Sequence, residues 1–219
     1  SWFAFILQTA PGTVALAQFT TKPSTSFAGG DISVLDAAPL TPGKNAISVG
    51  EEPIAIVTDR SGCKVVTANA GSCDVSVLDV ASAVDADTAT PIDVRRFDVT
   101  NASGVPLRAK PATMVVEPSS TAIGKACPAT STGADGLVYV AYPGCRLVAA
   151  VDVATTRVVG GVRFDDVGAP AILQAVELAT LTCPDECSAE PRQAGVHPVA
   201  LDLEHDARTA RRRLAIGAD

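Results

Sequence analysis

Residues 53–80 read PIAIVTDRSGCKVVTANAGSCDVSVLDV, and the fold is decided there. Three short apolar-alternating runs follow one another: PIAIVT from Pro53, KVVTAN from Lys64 and DVSVLDV from Asp74. Turn-forming residues separate them, first Asp59-Arg60-Ser61-Gly62, then Asn69-Ala70-Gly71-Ser72. An alternation of period two sends successive side chains to opposite faces of a strand. Short runs joined by such turns read as an antiparallel up-and-down meander.

The unit recurs. Pro53-Ile54-Ala55-Ile56 corresponds to Pro111-Ala112-Thr113-Met114 and to Pro198-Val199-Ala200-Leu201. The second run corresponds to Leu137–Tyr142 and to Arg213–Ala218, and the third to Leu147–Asp152 and Asp31–Asp36. Self-similarity in fixed order, with a period of roughly 40–50 residues plus insertions, marks a repeat fold. A small sheet that is apolar on both faces cannot bury both alone, so it stacks against copies of itself. Radial stacking of four-stranded sheets is a β-propeller. A parallel β-helix needs shorter, more uniform coils, and an immunoglobulin-type sandwich does not repeat a proline-led strand triplet. The expected fold is therefore an all-β, partial β-propeller of about three to four four-stranded blades. The expected blades span residues 1–50, 53–110, 111–196 and, incompletely, 198–219.

Gly50 and Pro53, the string Val66-Thr67-Ala68-Asn69 and the string Val75-Ser76-Val77-Leu78-Asp79 resemble the YVTN-type β-propeller repeats of surface and lipoprotein-like bacterial proteins. A second copy has Val138-Tyr139-Val140-Ala141 and Val148-Ala149-Ala150-Val151-Asp152, with Tyr142 where that pattern has Asn. The resemblance implies a propeller. It does not choose among surface-layer or adhesion-like proteins, sugar lactonases and redox-enzyme subunits, all of which use such repeats.

The chain has 219 residues, enough for a substantial core. Only about three full repeats are visible where propellers use roughly four to eight blades. We therefore expect a segment of a longer propeller, its remainder supplied by the same chain or by another copy. A net charge of −7 excludes nucleic acid as the expected partner. The basic clusters Arg95-Arg96 and Arg211-Arg212-Arg213 read as solvated strand ends or turns. No apolar run reaches the length of about 18 residues that spans a bilayer as a helix. The run Trp2–Leu7 is too short and lacks the basic leader of a signal peptide, so any signal or lipid anchor would lie upstream of Ser1.

Six cysteines, an even number, sit in expected turns or at strand ends. They suggest disulfides and an extracytoplasmic setting: periplasm, outer-membrane surface or secreted. Cys183 and Cys187 form the obvious local pair. Cys63 and Cys73 fall at opposite ends of one strand pair, beyond the limit of about 7 Å between Cα atoms. The remaining expectation is Cys63 with Cys127 and Cys73 with Cys145. Without a CxxC pair, a zinc site is not expected.

Along the chain, residues 2–9 and 13–19 read as a hairpin, 31–36 as a strand and 46–49 as an outer strand. Residues 81–91 read as a loop, 92–99 as a last strand and 100–110 as a linker. Insertions at 117–135 and 165–196 read as face loops, where binding commonly resides. Within the second, residues 171–181 are compatible with either helix or strand.

Candidate chemistry is sparse. His197 precedes the proline that opens a blade, and Glu51 and Glu52 precede Pro53 in the equivalent loop. Together with Asn69 and Tyr142 they are the candidate binding residues of the axial loops. The carboxylates could take calcium through oxygen ligands, although a solvated loop is the plainer reading. His205 reads as a turn residue, and Asp36, Asp79 and Asp152 as turn formers. No catalytic residue, metal ligand or cofactor is expected. The leading expectation is a non-enzymatic, extracytoplasmic scaffold for a protein or glycan partner. The alternatives are a metal-dependent hydrolase or lactonase and a redox-enzyme subunit, separable by metal analysis and an optical spectrum.

Overall fold

The computed structural model describes residues 2–19, 32–34, 47–59, 61–84, 92–116, 127, 136–187, 198–206 and 211–218. It is all-β, with four antiparallel sheets each drawn from one contiguous stretch. The first sheet holds β1 (Trp2–Gln8), β2 (Thr13–Phe19), β3 (Ile32–Val34) and β4 (Ile47–Ser48), the last two pairing with successive parts of β2. The second runs in order β5 (Pro53–Thr58), β6 (Lys64–Asn69), β7 (Asp74–Asp79) and β8 (Val94–Phe97). The third runs β9 (Thr113–Val116), β10 (Leu137–Tyr142), β11 (Leu147–Asp152), β12 (Arg157–Phe164) and β13 (Pro170–Ile172). The fourth is the hairpin β14 (Pro198–Asp206) and β15 (Arg211–Ala218). First strands of successive sheets are neighbours: β1 lies beside β5, β5 beside β9, and β9 beside β14.

The turns follow from local chemistry. After β5, the Asp59 carboxylate accepts the backbone N–H groups of Cys63 and Lys64, both at 3.0 Å, and the Ser61 hydroxyl. Gly62 supplies the positive φ of +72° that closes this turn. Pro53 opens an edge strand, where a residue without an N–H interrupts no interior ladder.

Every residue of β6 and β7 is buried, so burial does not alternate as it would on a half-exposed sheet. The reason is stacking on both sides. Val66, Ala68, Val75 and Val77 join one cluster with Val138, Val140, Leu147 and Ala149 of the third sheet. Val65 and Leu78 turn the other way, into a cluster with Leu16 and Ile47 of the first. Withdrawing each valine, leucine or isoleucine among them from water is worth about 1.5–3 kcal/mol, so the second sheet is held by both neighbours.

Two local expectations are corrected and one open reading is decided. Residues 100–110 are not a bare linker. Val99, Leu107 and Ala109 are buried in the larger cluster, and the Asn101 side chain donates to the Leu181 carbonyl at 3.0 Å. Part of the expected 81–91 loop is a short helix, α1 (Val80–Val84), whose Ala83 is fully buried and whose Ser82 N–H is capped by Asp79. The ambiguous stretch 171–181 holds the end of β13 and then a helix, α2 (Ala175–Thr180). α2 starts with a capping box between Gln174 and Glu177.

Candidate functional site

The β6–β7 and β10–β11 connections are built alike. Asn69 pairs with Asp74 and Tyr142 with Leu147, so each connection is four residues long. Each reaches the left-handed region at its fourth residue, Cys73 at φ +54° and Arg146 at φ +51°. Each carries a glycine at its second position under a close neighbour. A Cβ on Gly71 would lie 3.0 Å from Glu51 Cβ, and one on Gly144 would lie 1.8 Å from Glu186 Oε1.

A strap of irregular chain, Cys183-Pro184-Asp185-Glu186-Cys187, joins these two turns. Cys145 bonds Cys183 and Cys73 bonds Cys187, with Cα separations of 5.3 and 5.9 Å. The strap thus replaces two expected pairings, Cys183–Cys187 and Cys73–Cys145. The physical reason is reach. Four residue steps in extended chain cover about 13 Å, enough to span sheets stacked about 10 Å apart. Cys73 and Cys145 sit at the same end of adjacent sheets, as expected, and the strap lies between them. Cys63 does bond Cys127, at a Cα separation of 5.3 Å. Three bonded pairs suit an oxidising, extracytoplasmic compartment. Polar contacts seat the strap further. Glu186 Oε2 accepts the Lys110 N–H at 2.9 Å, and Arg108 Nε donates to Asp185 at 2.9 Å.

Beside the strap lies an open cleft of about 650 Å³, between the 143–146 turn, the 165–169 turn and α2. Its charged groups include Arg146 and Arg163 together with Asp165, Asp166 and Glu177. Arg146 pairs with Asp166, a side chain that is 84 % exposed. Arg163 Nη2 donates to the Thr182 carbonyl at 2.9 Å.

The expected binding residues separate into different settings. Glu51 and Glu52 are exposed, and their carbonyls accept Gly71 and Ala70 N–H groups, so their loop lies against the 70–73 turn. Asn69 and Tyr142 are corrections: neither side chain is available to a ligand. Both occupy the last strand position, where alternation turns them toward the neighbouring sheet, and they are 0 % and 2 % exposed. Asn69 anchors a buried polar ladder. Its Nδ2 donates to Asp74 Oδ1 at 2.6 Å and to Ser76 Oγ at 2.9 Å, and its Oδ1 accepts the Thr67 hydroxyl. Arg96 and Ser72 also donate to Asp74. Tyr142 lies in the larger apolar cluster, where burial pushes its phenol well above the ordinary range. His197 lies outside the described residues. His205 falls in β14, opposite Arg212, and not in a turn. Asp79 and Asp152 do serve turns, accepting the N–H groups of Ser82 and Ala154.

Lys64 and Asp79 form a buried ion pair across β6 and β7 at 2.6 Å. Burial pushes the Asp79 carboxyl up. The Lys64 hydrogen bond and charge and the Ser82 N–H and hydroxyl outweigh it, holding the group below the usual carboxylate range. Among the described residues no group of three His, Cys, Asp or Glu side chains is arranged to hold a metal ion. Among them, too, no helix is long and apolar enough to cross a membrane.

From sequence, Cys183 and Cys187 stand out only as a local pair and not as the ends of a strap, and nothing marks the two cleft arginines. A signal for the strap existed: equal six-residue spans from Asn69 to Asp74 and from Tyr142 to Leu147 set two cysteines in matching turns, and a second pair four apart could bridge them. No family model matches this chain, and no curated protein matches it.

Proposed function

We propose that the four sheets are blades of a β-propeller with YVTN-like repeats. In this reading the chain is a non-enzymatic, extracytoplasmic scaffold that binds a protein or glycan partner through its strapped face. The propeller part is supported by the neighbouring first strands and by the matched construction of the second and third sheets. The binding part is carried by one observation. A five-residue strap, cross-linked at both ends, makes a rigid rim beside an open cleft. A rim fixed before binding lowers the ordering cost of association.

The test is retention of partners on immobilised, oxidised protein offered a glycan panel and an extract of extracytoplasmic proteins. A specific retained partner is expected, and C145A/C183A, which frees one end of the strap, should weaken retention at least several-fold while circular dichroism stays unchanged. Retention indifferent to the strap, or substrate turnover by the purified protein, would contradict the proposal.

A further inference from the structure

Resting on that reading of the strapped face, we propose that the cleft between the 143–146 turn and α2 binds a uronic-acid-bearing glycan segment, its carboxylate held by Arg146 and Arg163. The cleft volume of about 650 Å³ falls in the ordinary range for ligand sites, roughly 300–1,000 Å³. Among the described residues, Arg163 uses one N–H on the Thr182 carbonyl and its remaining donors meet no partner. Arg146 is held in place by its turn, where its carbonyl accepts the Phe164 N–H at 2.8 Å. Arg146 is half-buried but its partner Asp166 is nearly fully exposed, and an ion pair with one arm in solvent is screened, which brings it toward the surface range of about 0–1 kcal/mol. An incoming carboxylate can displace it and gain bidentate geometry from the guanidinium fork.

A bare anion does not satisfy the rest of the cleft. Asp165 directs Oδ1 to the Val167 and Ala169 N–H groups, and Glu177 directs Oε2 to the Gln174 N–H. Each keeps a second carboxylate oxygen as an acceptor, which repels anions but suits hydroxyl donors. Pro170 and Ala171, both exposed, line the cleft with apolar surface for the C–H face of a sugar ring, beside the buried Leu173 and Leu181. A ligand with both a carboxylate and several hydroxyls matches this set, and a uronic acid has both.

The test is titration calorimetry of the intact, oxidised protein with digalacturonate, its methyl ester and pentaglutamate. Digalacturonate is expected to bind at least ~10-fold more tightly than either comparison ligand, and its affinity should fall as salt is raised. Arg163→Gln, at a partly exposed site, should weaken binding about 10-fold with an unchanged melting temperature. Asp166→Asn should tighten binding about 2–3-fold by releasing Arg146. The proposal is overturned by equal affinity for the ester, by tighter binding of pentaglutamate, by full binding in Arg163→Gln, or by no heat at millimolar digalacturonate. If partners are still retained by the strapped face in any of those cases, the scaffold reading stands and only the ligand assignment fails.

Discussion

The second and third sheets share one backbone plan and fill it with different chemistry. In the second, the face toward the first sheet carries Thr67 opposite Ser76 and Asn69 opposite Asp74, a buried ladder of hydrogen bonds. In the third, the matching positions toward the second sheet are Val140 opposite Ala149 and Tyr142 opposite Leu147, all buried in the apolar cluster. Register, turn length and the left-handed fourth turn residue are the same in both. The plan therefore demands matched partners across each strand pair and leaves open whether they are polar or apolar. A polar ladder is tolerated inside because its members satisfy one another.

The largest expected effect comes from cutting the link between the two sheets. C73A/C187A opens a cross-link with a sequence separation of 114 residues. With the other two disulfides intact the shortest path between these cysteines is about 35 residues, for which loop entropy puts the loss near 4 kcal/mol, read as a shift in denaturant midpoint under oxidising conditions. Next is the ladder. Asp74→Leu removes one of the two acceptors of Asn69 Nδ2 and the acceptor of Arg96, and is expected to cost about 2–3 kcal/mol. Converting the whole ladder to the third sheet's kind, T67V/N69L/D74L/S76A, orphans no buried group and should recover at least half that loss. A quadruple variant worse than Asp74→Leu alone would break the equivalence of the two faces.

A smaller contrast concerns glycines. A Cβ on Gly50 would stand 2.4 Å from both Asn69 Nδ2 and Asp74 Oδ1, which are buried and bonded to each other. Gly50→Ala should cost about 2 kcal/mol. Gly160→Ala in the third sheet, where the new Cβ meets only Ala150 Cβ at 3.7 Å, should stay within about 0.5 kcal/mol. Both are read from thermal melts.

These contrasts also mark how far the sequence could be read. Period-two runs and the spacing of turn residues made the strands β5 to β7 and β10 to β12 visible, because side-chain direction in a strand is local information. Asn69 and Tyr142 were misread because their setting depends on which sheet stacks above them, and no local pattern carries that. The strap was hidden for the same reason: Cys183 and Cys187 are close in sequence, but their partners are chosen by the spacing between stacked sheets. Arg146 and Arg163 reach one cleft only because a turn and a neighbouring strand both border it, and nothing in their own surroundings along the chain announces it.

The smallest expected effect is the acid dependence of the Lys64–Asp79 pair, which has no counterpart in the third sheet, where Leu137 faces Asp152. Asp79 is held below the usual carboxylate range in the folded chain. Its contribution is therefore full above the unfolded value near pH 4 and is lost as pH falls through the lower folded value. Stability measured between about pH 5 and 2 should decline more gently in Asp79→Asn than in the parent chain.

The stacking of two alike sheets under one strap is tested most directly by mapping the disulfides of unreduced protein with mass spectrometry. Cleavage after Glu186 separates Cys183 from Cys187, so their partners can be assigned independently. The structure predicts peptides joining Cys145 to Cys183 and Cys73 to Cys187, with Cys63 joined to Cys127. A Cys183–Cys187 pair, or a direct Cys73–Cys145 bond, would contradict it.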